Sequence, residues 1–159
     1  MVPDSQKNMD RKKVIEWWVD KLLVNYPVKP VFEVISFLQE AAEKIVDGAL
    51  SLYEGKDTDL SDAVDDVMRF LATDRNFSPG DSIRLFCDLR DFMAEELNLK
   101  TEERLKFAKM FEEIIFTAFD AYMACREKIF ELRLKEKEAD LEMMRKIMDY
   151  ASRSLSSQD

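Results

Sequence analysis

Hydrophobic residues recur at three- and four-residue steps along most of the chain, and this spacing predicts an all-α protein. Five helices are indicated: residues 5–25, residues 31–54, a shorter helix that begins near Asp59, a fourth that begins after Ser78, and residues 101–155. Short β-branched runs lie within the helical periodicity, and no hairpin dipeptide separates them. We therefore expect a helical bundle of about five helices without a sheet.

Local signals mark several of the predicted helix ends. Gly55 follows the second helix, where a left-handed backbone conformation costs glycine little. Ser78 precedes Pro79 and Asp81, which is the pattern of a capped helix start. Gly48 lies inside the second helix and indicates either a close approach by a neighbouring helix or a tolerated glycine.

The last predicted helix is too long for a domain of this size. Residues 81–159 contain no glycine or proline, and a helix over residues 101–155 would reach roughly 80 Å. A helix of that length pairs with another chain, carries a signal away from its domain, or does both.

The apolar pattern of this helix changes along its length. It is dense up to Phe130 and then thins to one stripe whose members alternate three and four apart. Arg126, Phe130 and Leu134 are separated by two successive fours, a stutter that locally unwinds a supercoil. The stripe consists of Leu134, Lys137, Leu141, Met144, Met148, Ala151 and Leu155.

These observations predict a bundle domain over residues 1–133, a helical extension over 134–155 and a disordered tail over 156–159. The leading interpretation of the stripe is a helix interface with a second chain, and alternatives are packing on its own domain or fraying in solution. The candidate interface residues are Leu134, Leu141, Met144, Met148 and Leu155.

Composition and charge exclude several partners. Apolar residues make up 47% of the chain, which is enough for a core. The net charge is −9, and residues 57–96 hold eleven acids and four arginines, so a nucleic-acid backbone would be repelled. No apolar run reaches the length of a membrane span, so we expect no membrane insertion and a cytoplasmic protein.

The chain contains no histidine, which excludes a histidine-ligated haem, a Ser-His-Asp triad and a ferritin-type di-iron site. Cys87 and Cys125 are too few for a structural zinc site and are interpreted as buried thiols, with a disulfide or a redox switch as the alternative. We therefore predict no catalytic residues, no metal and no cofactor, and hence no enzyme.

Three groups of residues remain as candidate sites. Tyr122 and Arg126 lie four apart and either satisfy each other at the neck of the domain or bind an anion or a partner carboxylate. Trp17 and Trp18 are expected to cover different neighbouring helices, with one of them at an interface as the alternative. A pocket lined by Phe86, Phe111 and Phe119 is possible between the helices, although such side chains usually fill the core.

Three segments carry a resemblance to a known family: Trp17-Trp18 with Tyr26-Pro27, residues 76–81 (NFSPGD) and residues 118–128 (AFDAYMACREK). Over residues 11–136 the chain resembles the N-terminal sensor-type domain of RsbT co-antagonist (RsbR/RsbRD-like) proteins of bacteria. The resemblance implies a helical domain related to a globin fold that has lost its haem. It also implies a dimer that passes a signal through its final helix to an output domain. Such an output domain has no room before Asp159, so the sequence is either a stand-alone member or part of a longer protein.

The leading hypothesis is a non-enzymatic bacterial signalling module, of the kind that regulates a stress response. It homodimerises and docks on an unidentified regulatory or output protein through its C-terminal helix. The alternative is a sensor that binds a small apolar molecule between its helices.

Overall fold

A computed structural model describes residues 9–157. It contains five helices: α1 (Arg11–Leu23), α2 (Phe32–Tyr53), α3 (Ser61–Ala72), α4 (Pro79–Glu96) and α5 (Glu102–Ser156). No strand occurs in this part of the chain, so the predicted all-α class with a long C-terminal helix is confirmed. Residues 5–8, the predicted start of the first helix, lie outside the described residues.

The helix ends follow the local signals in the sequence. The Ser78 hydroxyl accepts a hydrogen bond from the Asp81 amide at 3.0 Å, and the Asp81 carboxylate accepts one from the Ser78 amide at 3.2 Å. This reciprocal pair is a capping box, which confirms the predicted start of α4. Gly55 has a φ of +86° after α2, as predicted. Asn98 and Thr101 also adopt positive φ values, in the turn between α4 and α5.

One hydrophobic core joins all five helices. It includes Val14, Trp18 and Leu22 of α1, Leu38, Ile45 and Val46 of α2, Val64, Val67 and Met68 of α3, Phe86, Leu89 and Met93 of α4, and Phe107, Phe111, Ile114, Ala118 and Tyr122 of α5. Helix α1 packs on α2 and α4, and α3 packs on the same two helices. The first part of α5 completes this core with one face.

The rings of both tryptophans contact aromatic side chains of α4. Trp18 is fully buried, donates its indole N–H to the Leu85 carbonyl at 2.8 Å and meets the Phe86 ring edge-on at 5.1 Å. Trp17 stacks on Phe92 with 4.1 Å between ring centroids. The expectation that the two rings cover different helices is therefore wrong, because Phe86 and Phe92 lie on the same helix.

Gly48 confirms the predicted close approach. A Cβ at this position would lie 2.0 Å from the Cδ2 atom of Leu60, which precedes α3. A side chain at this position would displace the Leu60 side chain, which occupies the space that Gly48 leaves open.

The chain divides into two compact units, Met1–Cys125 (unit 1) and Arg126–Asp159 (unit 2). The described part of unit 2 is the last section of α5 and the turn that follows it. Ser156 is the last residue of α5, whereas Gln158 and Asp159, the end of the predicted tail, lie outside the described residues. None of the helices is sufficiently long and apolar to cross a membrane, as judged over the described residues.

Candidate interaction surface and candidate cavity

The predicted interface residues of unit 2 are all exposed. Their exposed fractions range from 47% for Leu134 to 69% for Met148, with Leu141, Met144 and Leu155 between these values. Because α5 is helical throughout this region, their three- and four-residue spacing places them along one face of the helix. We call the stripe Leu134, Lys137, Leu141, Met144, Met148, Ala151 and Leu155 the seam.

A second group of exposed apolar residues lies in unit 2 beside the seam. Met143, Ile147 and Tyr150 are 64%, 61% and 75% exposed. They are spaced four and three apart and follow the seam along its flank, so we call them the flanking strip. The sequence carries the signal for this strip, but a search for a single coiled-coil stripe passes over it.

Charged residues border the seam in a regular arrangement. In the heptad that places Leu134, Leu141 and Met148 at a positions, Arg133 and Asp140 are g positions. Glu138 and Arg145 are the following e positions, each five residues further on. Within the helix, the Arg145 guanidinium lies 3.8 Å from the Glu142 carboxylate in an exposed ion pair.

The structure does not bring Phe86, Phe111 and Phe119 together around one cavity. Phe86 and Phe111 are fully buried in the core, whereas Phe119 is 46% exposed. The neighbouring Ala118 occupies the buried face of α5 instead, and a one-residue step rotates Phe119 about 100° away from it. Phe119 joins Phe116 and Met123, which are 56% and 37% exposed, in an apolar stripe on the surface of unit 1.

Tyr122 has a partner that the sequence did not reveal. Its side chain is 1% exposed, and its hydroxyl donates a hydrogen bond of 2.5 Å to the Phe77 carbonyl. Phe77 belongs to the connection between α3 and α4, so this bond ties α5 to that connection. Arg126 is half-buried and is the first residue of unit 2. The pairing of Tyr122 with Arg126 stays a prediction.

The cysteines and carboxylates of residues 9–157 form neither a disulfide nor a metal-binding group. Cys87 and Cys125 are half-buried thiols and are not joined in a disulfide. Within the described part of the chain, no three Cys, Asp or Glu side chains are grouped in a way that would hold a metal ion.

A cavity of about 490 Å³ lies in unit 1, between the end of α1, the end of α3 and the two connections that follow these helices. Its apolar lining consists of Leu22, Tyr26, Pro27, Phe70, Leu71 and Phe77. The Tyr26 and Phe70 rings stack with 5.6 Å between centroids. Its volume lies within the range of small-molecule sites, about 300–1,000 Å³.

Polar residues line the same cavity from its two connections: Asn25, Thr73, Asp74, Arg75 and Asn76. The segment that holds them is ordered by local hydrogen bonds. The Thr73 hydroxyl donates to the Phe70 carbonyl at 2.7 Å, and the Asn76 amide donates to the Asp74 carboxylate at 2.9 Å. Asp74 and Arg75 thus provide one negative and one positive charge at the cavity.

The chain is 89% identical over 151 residues to a protein of Archaeoglobus fulgidus that is described as an uncharacterized protein. The alignment covers 95% of this chain and the full length of the relative. The chain belongs to the family of this archaeal protein. No protein-family model matches the sequence, and no solved structure matches it. The description of this relative names no activity.

Proposed function

We propose that the protein is a non-enzymatic regulatory module that homodimerises and docks on a second protein through the C-terminal part of α5. The observation that carries this proposal is the seam, whose five named apolar residues are each about half to two-thirds exposed. Burial of a fully exposed side chain of this kind contributes roughly 1.5–3 kcal/mol, and covering the exposed half to two-thirds of each seam residue contributes a corresponding share. Its regular spacing suits another helix better than an irregular surface.

The charges beside the seam favour a second copy in parallel orientation. In a parallel, in-register pair, each g residue lies near the following e residue of the partner helix. Arg133 would then face the partner's Glu138, and Asp140 would face the partner's Arg145. Each dimer gains both contacts twice, and all four are attractive. In the antiparallel pair of greatest overlap, Glu138 still faces the partner's Arg145, but Asp140 lies against the apolar Ile147, so two attractive contacts remain instead of four.

Lys137 is the polar member of the seam and occupies a d position. A single polar residue in such a seam lowers stability but restricts the register and the number of helices. In the parallel pair two lysines lie in the same layer, and their flexible stems allow both ammonium groups to reach solvent. The expected result is a reversible dimer and not a permanent one.

The flanking strip supports the docking part of the proposal. Met143, Ile147 and Tyr150 lie outside the seam and would stay exposed in a two-stranded pair. Methionine side chains adapt to different apolar partners, and Met143 is such a residue here. We assign the seam to the second copy and the flanking strip to the regulatory or output protein. The resemblance to RsbT co-antagonist sensor domains supports this signalling role, and the absence of histidine from the sequence supports a non-enzymatic one.

The decisive experiment compares two charge insertions in unit 2. Leu141→Glu places a carboxylate in the seam, whereas Ala139→Glu places the same group two residues away on the opposite face. We expect sedimentation to give a dimer for the original protein and for Ala139→Glu, and a monomer for Leu141→Glu. A chain that ends at Phe130 should also be monomeric. If it keeps the mass of the full chain, the seam is not the interface.

Orientation is tested by oxidation of engineered cysteines. Ala151→Cys places a thiol at a d position, so a parallel in-register pair brings two copies of it within disulfide distance. Lys146→Cys, on the outer face, is the matched control. Disulfide-linked dimers should form for Ala151→Cys alone. Equal crosslinking of the two variants, or of the original protein through Cys87 or Cys125, would contradict the parallel arrangement.

A further inference from the structure

The cavity in unit 1 has an apolar wall and, at one edge, one negatively and one positively charged side chain. Tyr26, Phe70 and Phe77 provide aromatic surface, while Asp74 and Arg75 come from the same connection after α3. A ligand that fills this cavity must therefore satisfy an apolar region and two opposite charges at once. A purely apolar molecule would gain nothing from either charge.

Arg75 is available to a ligand. Its side chain is exposed, and it forms no ion pair with any residue between 9 and 157. A guanidinium in this situation binds a carboxylate through paired, charge-assisted hydrogen bonds. The amide side chains of Asn25 and Asn76, which line the same cavity, add further donors.

Asp74 provides the complementary acceptor. One of its carboxylate oxygens accepts a hydrogen bond from the backbone N–H of Asn76. This bond holds the turn and fixes the position of the Asp74 carboxylate. The other oxygen receives no hydrogen bond from the described residues and suits an ammonium group. A ligand with a carboxylate alone would meet Asp74 as a like charge, and an amine alone would meet Arg75 in the same way.

We propose that this cavity binds an amino acid with an apolar side chain. The carboxylate of the ligand pairs with Arg75, its ammonium group pairs with Asp74, and its side chain lies against Tyr26, Phe70 and Phe77. This assignment moves the small-molecule site away from Phe86 and Phe111, which are buried in the core. It does not depend on pairing of the seam.

The cavity is also connected to α5. Phe77 lines it, and the carbonyl of the same residue accepts the Tyr122 hydroxyl. A ligand that shifts the connection between α3 and α4 thus acts directly on a hydrogen bond of the helix that carries the seam.

The test uses three probes on the full-length protein: L-phenylalanine, 3-phenylpropionate, which lacks the ammonium group, and phenethylamine, which lacks the carboxylate. Binding is followed by nuclear magnetic resonance through the side-chain amides of Asn25 and Asn76. We expect L-phenylalanine to bind with a Kd on the order of 0.1–1 mM, as suits a small ligand in an open cavity. Each singly charged probe should bind at least about tenfold more weakly.

Two variants, each of which removes one charge, separate the contributions of Arg75 and Asp74. Arg75→Gln should weaken L-phenylalanine and 3-phenylpropionate about tenfold and spare phenethylamine. Asp74→Asn keeps an oxygen that accepts the hydrogen bond from the Asn76 backbone N–H. It should weaken the binding of L-phenylalanine and phenethylamine but not that of 3-phenylpropionate. Arg104→Gln and Asp57→Asn, both exposed and away from the cavity, change the net charge equally and serve as controls.

Three outcomes would overturn the proposal. These are no change at Asn25 and Asn76 with millimolar L-phenylalanine, equal binding of 3-phenylpropionate, or binding that Arg75→Gln and Asp74→Asn leave unchanged. Sedimentation of Leu141→Glu reports on the seam separately, so failure of the dimer proposal and failure of this one are distinguishable.

Discussion

Helix α5 contains two sections with apolar stripes in opposite environments. In unit 1, its residues Phe107, Phe111, Ile114, Ala118 and Tyr122 are buried. In unit 2, the described residues of the same helix include no buried side chain, although leucines and methionines recur at comparable steps. The difference is whether other helices of the chain lie against the stripe. A periodic pattern determines which face of a helix is apolar, whereas the tertiary structure determines whether that face is covered.

The largest expected effect separates the two sections by truncating one phenylalanine in each. Phe111→Ala should lower the free energy of unfolding by about 3–5 kcal/mol, because it leaves a cavity in the core. Phe130→Ala, at a side chain that is 64% exposed, should change it by less than about 0.5 kcal/mol in dilute solution. Tryptophan fluorescence during urea unfolding measures both values. Equal losses of unfolding free energy in the two variants would contradict the difference in burial between the two sections.

The contact at Gly48 provides a second expected effect, confined to unit 1. Gly48→Ala should lower stability by about 1–3 kcal/mol, because the new Cβ meets Leu60 in a packed region. Gly80→Ala is the matched control, since its Cβ would lie 3.7 Å from the Ser78 hydroxyl, an ordinary contact. Thermal unfolding of both variants measures the difference. A stable Gly48→Ala protein would show that Leu60 can move without cost.

A third prediction compares the loss of a tyrosine hydroxyl in each section of α5, at Tyr122 and at Tyr150. Tyr122→Phe removes the donor to the Phe77 carbonyl and should cost about 1–2 kcal/mol. Tyr150→Phe, at a side chain that is 75% exposed, should leave the unfolding free energy unchanged in dilute solution. Urea unfolding compares the two variants, and equal stabilities would mean that the bond to Phe77 contributes nothing.

The smallest effect concerns the cap of α4. Ser78→Ala should cost about 1 kcal/mol, whereas Ser152→Ala, an exposed serine of unit 2, should cost nothing measurable. Thermal unfolding at neutral pH tests this pair.

The same cap gives a pH dependence. Hydrogen bonds from the Ser78 backbone and side chain hold the pKa of Asp81 below its ordinary value of 3.8. A lowered pKa means that the folded state favours the ionised group, so its stabilising effect is present above pH 3.8 and is lost as the pH falls below that value. Asp81→Asn should therefore be less stable than the original protein at pH 7, with a difference that narrows below pH 3.8. A difference that stays constant down to about pH 2.5, which lies about one unit below an ordinary carboxyl pKa, would contradict this role of Asp81.

The candidate sites were predictable to different degrees. The seam follows from spacing alone, because its members lie on one helix and their order in the sequence is their order on its face. The cavity was not predicted, because Tyr26 and Phe70 lie far apart in the sequence and meet only when the connection after α1 lies beside the end of α3. Phe119 was assigned to a pocket because it is aromatic and close to the dense core pattern. Its exposure depends on which edge of α5 faces the bundle.

The sequence by itself determined the features that arise within a few residues: the helices found among residues 9–157, the capping box of Ser78 and Asp81, the positive φ of Gly55 and the apolar seam of α5. Each of these depends on backbone hydrogen bonds or on helical periodicity, which act locally. Only the tertiary structure decided that Trp17 and Trp18 share α4, that Tyr122 binds Phe77 and that a cavity opens beside Asp74 and Arg75. These contacts join residues from different helices and connections, and their partners are set by how the whole core packs.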